Sequence, residues 1–111
     1  MQTETVAEEE FVLIQDNGIE VLFSWKLGMP VRSQQRWVAT SYLDGIDLLP
    51  TKSYGETAMQ ALLLAAACGH ESLRRIIARG EIVAFRADKD SPLTSDELTY
   101  FYYPTTTGVS L

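Results

Sequence analysis

The sequence predicts an α+β domain: an antiparallel sheet of four to five strands with one long helix packed across one face. Three observations predict it. Residues 55–80, GETAMQALLLAAACGHESLRRIIARG, form the only long run with helical periodicity. Residues 19–27 alternate with period two behind Asn17-Gly18, a strong hairpin signal. Residues 35–43, QRWVATSYL, are rich in β-branched and aromatic side chains. With 111 residues, 46% hydrophobic and 22% charged, the chain fits a single domain with one core. Residues 1–7 and 105–111 are expected to be loose ends.

Taken in order, residues 10–16 (EFVLIQD) read as the first strand and Asn17-Gly18 as a two-residue turn. The second strand places Ile19, Val21, Phe23, Trp25 and Leu27 on one face. A two-residue loop would set Asp16 against Ile19, Ile14 against Val21 and Val12 against Phe23. Val12 and Ile14 would then join the core face, leaving Phe11 and Leu13 on the back beside Leu22. Gly28-Met29-Pro30 breaks the strand, residues 35–43 resume it, and Asp44-Gly45 turns into a short strand at 46–49, ended by Pro50. Residues 51–54 read as a polar loop leading into the helix.

On the helix, Ala58, Met59, Leu62, Ala65, Ala66, Gly69, Leu73, Ile76 and Ile77 form one stripe, expected to face the sheet. Gly69 lies near its centre and is expected to mark a close approach to a strand. Gly80 is the expected stop, with Arg74, Arg75 and Arg79 at the negative end of the helix dipole. The back of the helix differs between its halves. Glu71 and Arg75 make a polar pair in the second half, whereas Leu63, Leu64 and Ala67 leave the first half apolar nearly all round. Residues 81–86 (EIVAFR) read as a further strand, and Thr94 or Ser95 as the cap of a brief helical turn. Tyr100, Phe101, Tyr102 and Tyr103 follow as an extended aromatic segment. Either that segment covers Leu63, Leu64 and Ala67 or a second chain does, and these seven residues are the candidate interface.

The sequence offers little chemistry. The single Cys68 excludes an internal disulfide, and its separation from the single His70 by two helical positions, about 200°, keeps them from acting as a pair. His70 reads as a packed histidine and Cys68 as a small hydrophobe. Asp44 with Asp47, and Asp88 with Asp90, read as turn formers. No phosphate-binding glycine loop and no G-x-S-x-G elbow occurs. No catalytic residue, metal site or cofactor is expected.

A formal net charge of −6 disfavours binding to a phosphate backbone, and the densest acidic run is Glu8-Glu9-Glu10, so a nucleic-acid partner is not expected. The N-terminus lacks a basic, then apolar, secretory pattern. The longest apolar run, 61–68, is too short to cross a membrane. A cytoplasmic protein with no membrane association is expected.

The order of elements, carried by WVATSYLDGID (37–47) and ETAMQALLLAAACGHESLRRIIARGEI (56–82), resembles that of small bacterial α+β domains of unknown function. The resemblance covers half the chain and implies the fold, but transfers no activity and no site residue. The expected function is a non-catalytic protein-binding domain of the immunity or inhibitor type, acting by occlusion of a partner, which a basic surface on that partner would favour. The alternatives are a small enzyme or ligand-binding domain using the helix–sheet cleft, and a structural homodimer subunit.

Overall fold

The computed structural model describes residues 4–102. Six strands form one antiparallel sheet: β1 (Thr5–Ile14), β2 (Glu20–Gly28), β3 (Val31–Ser33), β4 (Arg36–Asp44), β5 (Thr51–Gly55) and β6 (Ile82–Phe85). The long helix α1 (Ala58–Ala78) crosses one face, and a second helix, α2 (Ser95–Tyr102), follows β6. The predicted α+β architecture is therefore the observed one.

β2 and β3 are two halves of one long strand. Both pair with β4, and between Leu27↔Ser41 and Val31↔Val38 three residues, Gly28-Met29-Pro30, oppose two. That is a bulge, and Pro30, without an N–H, suits it. β5 lies on the opposite edge of β4, because Trp37, Val38 and Ser41 each pair on both sides. Across the sheet the order is thus β5, β4, β2 with β3, β1, β6.

The β1–β2 register differs from the expected one by a residue. Gln15 N–H donates to the Ile19 carbonyl at 2.9 Å, so the loop holds three residues, Asp16-Asn17-Gly18, with Gly18 at φ 83°. A three-residue loop closed by a left-handed glycine is the next common hairpin solution after the two-residue turn. Phe11 now faces Phe23, Leu13 faces Val21 and Val12 faces Leu22. A slip of one residue exchanges the faces of a strand. Phe11 and Leu13 therefore lie in the core, and Val12 lies on the back. Phe11 stacks on Phe23 at 5.4 Å and on Phe85 at 5.3 Å, an aromatic row across three strands. On the back, Arg86 reaches Glu10 at 3.0 Å and Lys89 reaches Glu20 at 3.5 Å as the chain returns from β6. Val12 and Ala84 are buried there, while Leu22 stays exposed.

Three further expectations change. β1 begins at Thr5, not at residue 10, because its first half continues the ladder on β2. Residues 46–49 are not a strand: the Asp47 carboxylate accepts the Leu43 N–H at 2.8 Å and folds the chain into a turn that leaves Leu48 99% exposed. The next strand is instead residues 51–55, whose apolar content is low because it forms an outer edge. The segment after residue 98 continues as helix to Tyr102. Thr94 starts it with a reciprocal cap: its Oγ1 accepts from Glu97 N–H at 3.1 Å, and Glu97 Oε1 accepts from Thr94 N–H at 3.0 Å. Tyr103 and residues 105–111 lie outside the described residues.

α1 is capped by Thr57, whose Oγ1 accepts from Gln60 N–H at 3.1 Å, and the chain leaves it at Gly80 with φ 90°. Its buried residues are Ala61, Ala65, Gly69, His70, Leu73 and Ile76. Met59, expected on the sheet side, is 65% exposed, and Ala61 takes the inner place. Close packing explains the exchange. A Cβ on Gly55 of β5 would stand 2.6 Å from Ala61 N, so the helix start lies almost on the backbone of β5 and only small side chains fit between. Gly69 sits over Trp25 as expected: a Cβ there would overlap the indole and stand 2.7 Å from Ser41 Oγ, which itself accepts from Trp25 Nε1 at 3.1 Å. Beyond Gly69, Leu73 and Ile76 join Phe11, Leu13, Phe23, Trp25, Leu43 and Val83 in the main core, closed by Leu93 and Leu98.

Gly69→Ala is expected to destabilise the fold by about 1–2 kcal/mol in urea unfolding, because overpacking against Trp25 outweighs the helix-propensity gain of about 1 kcal/mol. A gain in stability would show that the helix can back away. Leu98→Ala is expected to cost about 2–5 kcal/mol. A cost below 1 kcal/mol would mean that α2 is not part of the core.

Candidate functional site

Two surface features adjoin the first half of β1. The first is a sheet edge. β1 pairs with β2 from residue 5 to residue 14, but β6 covers its other side only at residues 11–14. Among the described residues no strand pairs with that side of residues 5–10. A notch of about 550 Å³ lies along it, lined by Glu8, Glu9, Glu10, Phe85, Arg86 and Ala87. Glu10 is held by Arg86, and neither Glu8 nor Glu9 enters an ion pair among the described residues.

The second feature is a mostly apolar groove of about 390 Å³ between α1 and the sheet. Ala7, Glu8 and Glu9 form one wall, Trp25 and Leu27 the floor, and Leu63, Ala66 and His70 of α1 the other wall. It exists because α1 settles on β4 and β5 through alanines and Gly69, leaving β1 uncovered at this end. His70 is buried at its head. Burial holds the imidazole below its ordinary value of 6.5, the Arg74 guanidinium lowers it further, and the Glu71 carboxylate opposes both. Glu71 pairs with Arg74 at 3.2 Å, not with Arg75 as the sequence spacing suggested.

Of the expected interface, Leu63, Leu64 and Ala67 are all exposed, Leu63 by 62% and Leu64 by 46%. With Met59 they make an apolar strip down α1, and Leu63 also lines the groove. Tyr100, Phe101 and Tyr102 lie on the last turns of α2. That helix enters the core at Leu98 beside Leu73 and Ile76, about 13 Å along α1 from Leu64. Sequence reasoning missed the open edge, because the loss of a pairing partner depends on where β6 ends. It also missed Leu48 and Leu49, 99% and 77% exposed on the loop before β5. The signal was present: Asp47, one residue before the leucines, is a turn-forming side chain that interrupts the run between Gly45 and Pro50.

Asp47 closes its turn, the role expected of it, whereas Asp44 ends β4 and binds Lys26 at 2.8 Å. Among the described residues no group of three or more His, Cys, Asp or Glu could hold a metal ion, and no helix is long and apolar enough to cross a membrane. Comparison with models of protein families, with curated proteins and with solved structures gives no match to this chain.

The lowered affinity of His70 for a proton has a sign that can be measured. The folded state takes up the proton at lower pH than the unfolded chain does, so the stabilisation is complete above about pH 6.5 and is lost as pH falls through the folded midpoint. The urea midpoint is expected to drop between about pH 7 and pH 5, and His70→Gln should flatten that slope. An imidazole proton resonance titrating at or above 6.5 would contradict this account.

Proposed function

We propose that this chain is a non-catalytic protein-binding domain that acts by covering a surface of its partner. The observation that carries the reading is the strip Met59–Leu63–Ala67 with Leu64, spaced one helical turn apart and continuous with the groove. Each leucine or methionine of such a strip contributes about 1.5–3 kcal/mol when it is fully covered, and solvent alone leaves that unrealised. The exposed Leu48 and Leu49 on the loop before β5 add a second apolar surface. The charge of −6 favours a basic partner by steering its approach. Occlusion, as by an immunity or inhibitor protein in the cytoplasm of a bacterium, matches this combination of a small acidic domain and an apolar face. A second reading, a ligand-binding domain using the helix–sheet cleft, draws support from the groove itself and from His70 at its head.

The variant Leu63→Asp/Leu64→Asp, with far-UV circular dichroism unchanged, is expected to lose at least about 90% of whatever partner the wild-type chain retains from host extract. Sedimentation equilibrium on both proteins tests self-association in the same way. Equal retention by the two proteins, together with identical sedimentation, would sink the reading that the α1 strip is the binding surface.

A further inference from the structure

We propose that the outer side of residues 5–10 of β1 accepts an added β-strand from a partner, and that the strand alternates Lys or Arg with apolar residues. The inference rests on the protein-binding reading and names the kind of segment bound.

The first argument is the edge. β6 stops at Phe85, opposite Phe11, and the chain then turns into a 3-10 turn at Arg86–Asp88. Residues 5–10 thus present about 20 Å of strand with no strand paired on that side among the described residues, Arg86 alone reaching Glu10 at its inner end. Gln15 N–H points toward β2, so by strict alternation the N–H and C=O of Glu8 point away from it, toward the notch. The notch lies in line with β6, where a further strand would continue the sheet. Strand addition of this kind draws its affinity from main-chain hydrogen bonds and its specificity from alternate side chains.

The second argument is what flanks the edge on each face. On the helix side lie Ala7 and Glu9, opposite Leu27 and Trp25, and the groove lined by Trp25, Leu27, Leu63 and Ala66. Ala7 is small enough for an apolar side chain from the added strand to pass over it into that groove. On the back lie Glu8 and Glu10, in register with Lys26 and Ser24 of β2. Glu9 enters no ion pair among the described residues, Glu8 faces Lys26, whose ammonium is bonded to Asp44, and Glu4 adds a fourth carboxylate nearby in sequence. A partner strand with cations on the back face and an apolar side chain passing over Ala7 on the helix face matches both sides. A second copy of this chain does not, because pairing two such edges would bring two sets of Glu8, Glu9 and Glu10 together.

The test uses the full chain and two synthetic heptapeptides: Lys-Val-Lys-Leu-Lys-Val-Lys, blocked at both ends, and its counterpart with Glu at every Lys. The basic peptide is expected to bind at least about tenfold more tightly at ~50 mM salt, and to weaken several-fold by ~300 mM. On binding, the Glu8 amide should gain protection from hydrogen exchange. Glu8→Pro, which removes an outward-facing N–H together with the carboxylate, should reduce binding about tenfold with the amide spectrum of the core unchanged, and clearly more than Glu8→Gln, which removes the charge alone. Glu8→Lys/Glu10→Lys should reverse the preference between the peptides.

Equal binding of both peptides, or binding unaffected by Glu8→Pro, would overturn strand addition. So would a wild-type dimer that Glu8→Pro makes monomeric, since a second copy would then occupy the edge. No binding of the basic peptide, with self-association appearing only in Glu8→Gln/Glu10→Gln, would also overturn it. That result would make the glutamates a guard against pairing. The two readings fail separately. A host partner lost with Leu63→Asp/Leu64→Asp but indifferent to Glu8→Pro leaves protein binding standing without the edge. Peptide binding at Glu8 that survives Leu63→Asp/Leu64→Asp leaves the edge standing without the strip.

Discussion

Gly18 holds the register on which the rest of the molecule is built. Its left-handed backbone closes a three-residue loop, and that loop sets Gln15 against Ile19 and Phe11 against Phe23. Shifting β1 by one residue would turn Phe11, Leu13 and Glu9 to the back and bring Val12, Glu10 and Glu8 under the helix. The aromatic row from Phe23 through Phe11 to Phe85 would be lost. Losing the burial of Phe11 and Leu13 would cost more than any turn preference, so core and turn agree on one pairing. The same register puts Ala7 on the groove side of the sheet and aims the Glu8 backbone outward.

The placement of α1 follows from side-chain size. Where Ala61, Ala65 and Gly69 face Ala39, Gly55 and Trp25, the helix lies close to β4 and β5. Where Leu73 and Ile76 face the phenylalanines, large side chains fill the layer together with Leu98 of α2. Such a helix cannot also cover the first half of β1, which is why Leu63 and Ala66 overhang a groove in place of packing on the sheet. The open groove and the exposed strip beside it thus have one cause: the small residues that pull α1 toward the opposite side.

What could be read from the sequence was whatever depends on local pattern. The class, the single long helix with its stop at Gly80, the face of β2, the β6 segment, the close approach at Gly69 and the cap at Thr94 all follow from periodicity or turn chemistry. The phase of α1 was ambiguous in its first half, since a segment apolar on every side has no marked inner face, and sheet contact selected Ala61 over Met59. The β1 register failed because Asn17-Gly18 suits both a two-residue and a three-residue loop, and only packing chooses between them. β5 was missed because an outer strand with one covered face needs few hydrophobic residues. The candidate site lay deepest of all: an unpaired edge belongs to no residue, and it arises where one strand outlasts its neighbour.

An exposed edge of six residues is a hazard, since any extended segment can pair with it. Three consecutive glutamates answer the hazard by repulsion, and repulsion selects among partners as well as excluding them. Copies of this chain bring the same charge and are kept apart, whereas a cationic strand finds the charge attractive at every second residue. Glu10 shows the local form of this preference, since Arg86 is already drawn to it from the end of β6. The bulge between Thr5 and Ala7 limits the usable edge at its outer end, and the turn at Arg86 limits it at the inner end. Between those stops lies room for one short strand, with Ala7 as the low point in the wall toward Leu63 and Trp25. Sheet edge, charge and groove therefore meet at residues 7–9, the one stretch of β1 where main chain and both faces are open together.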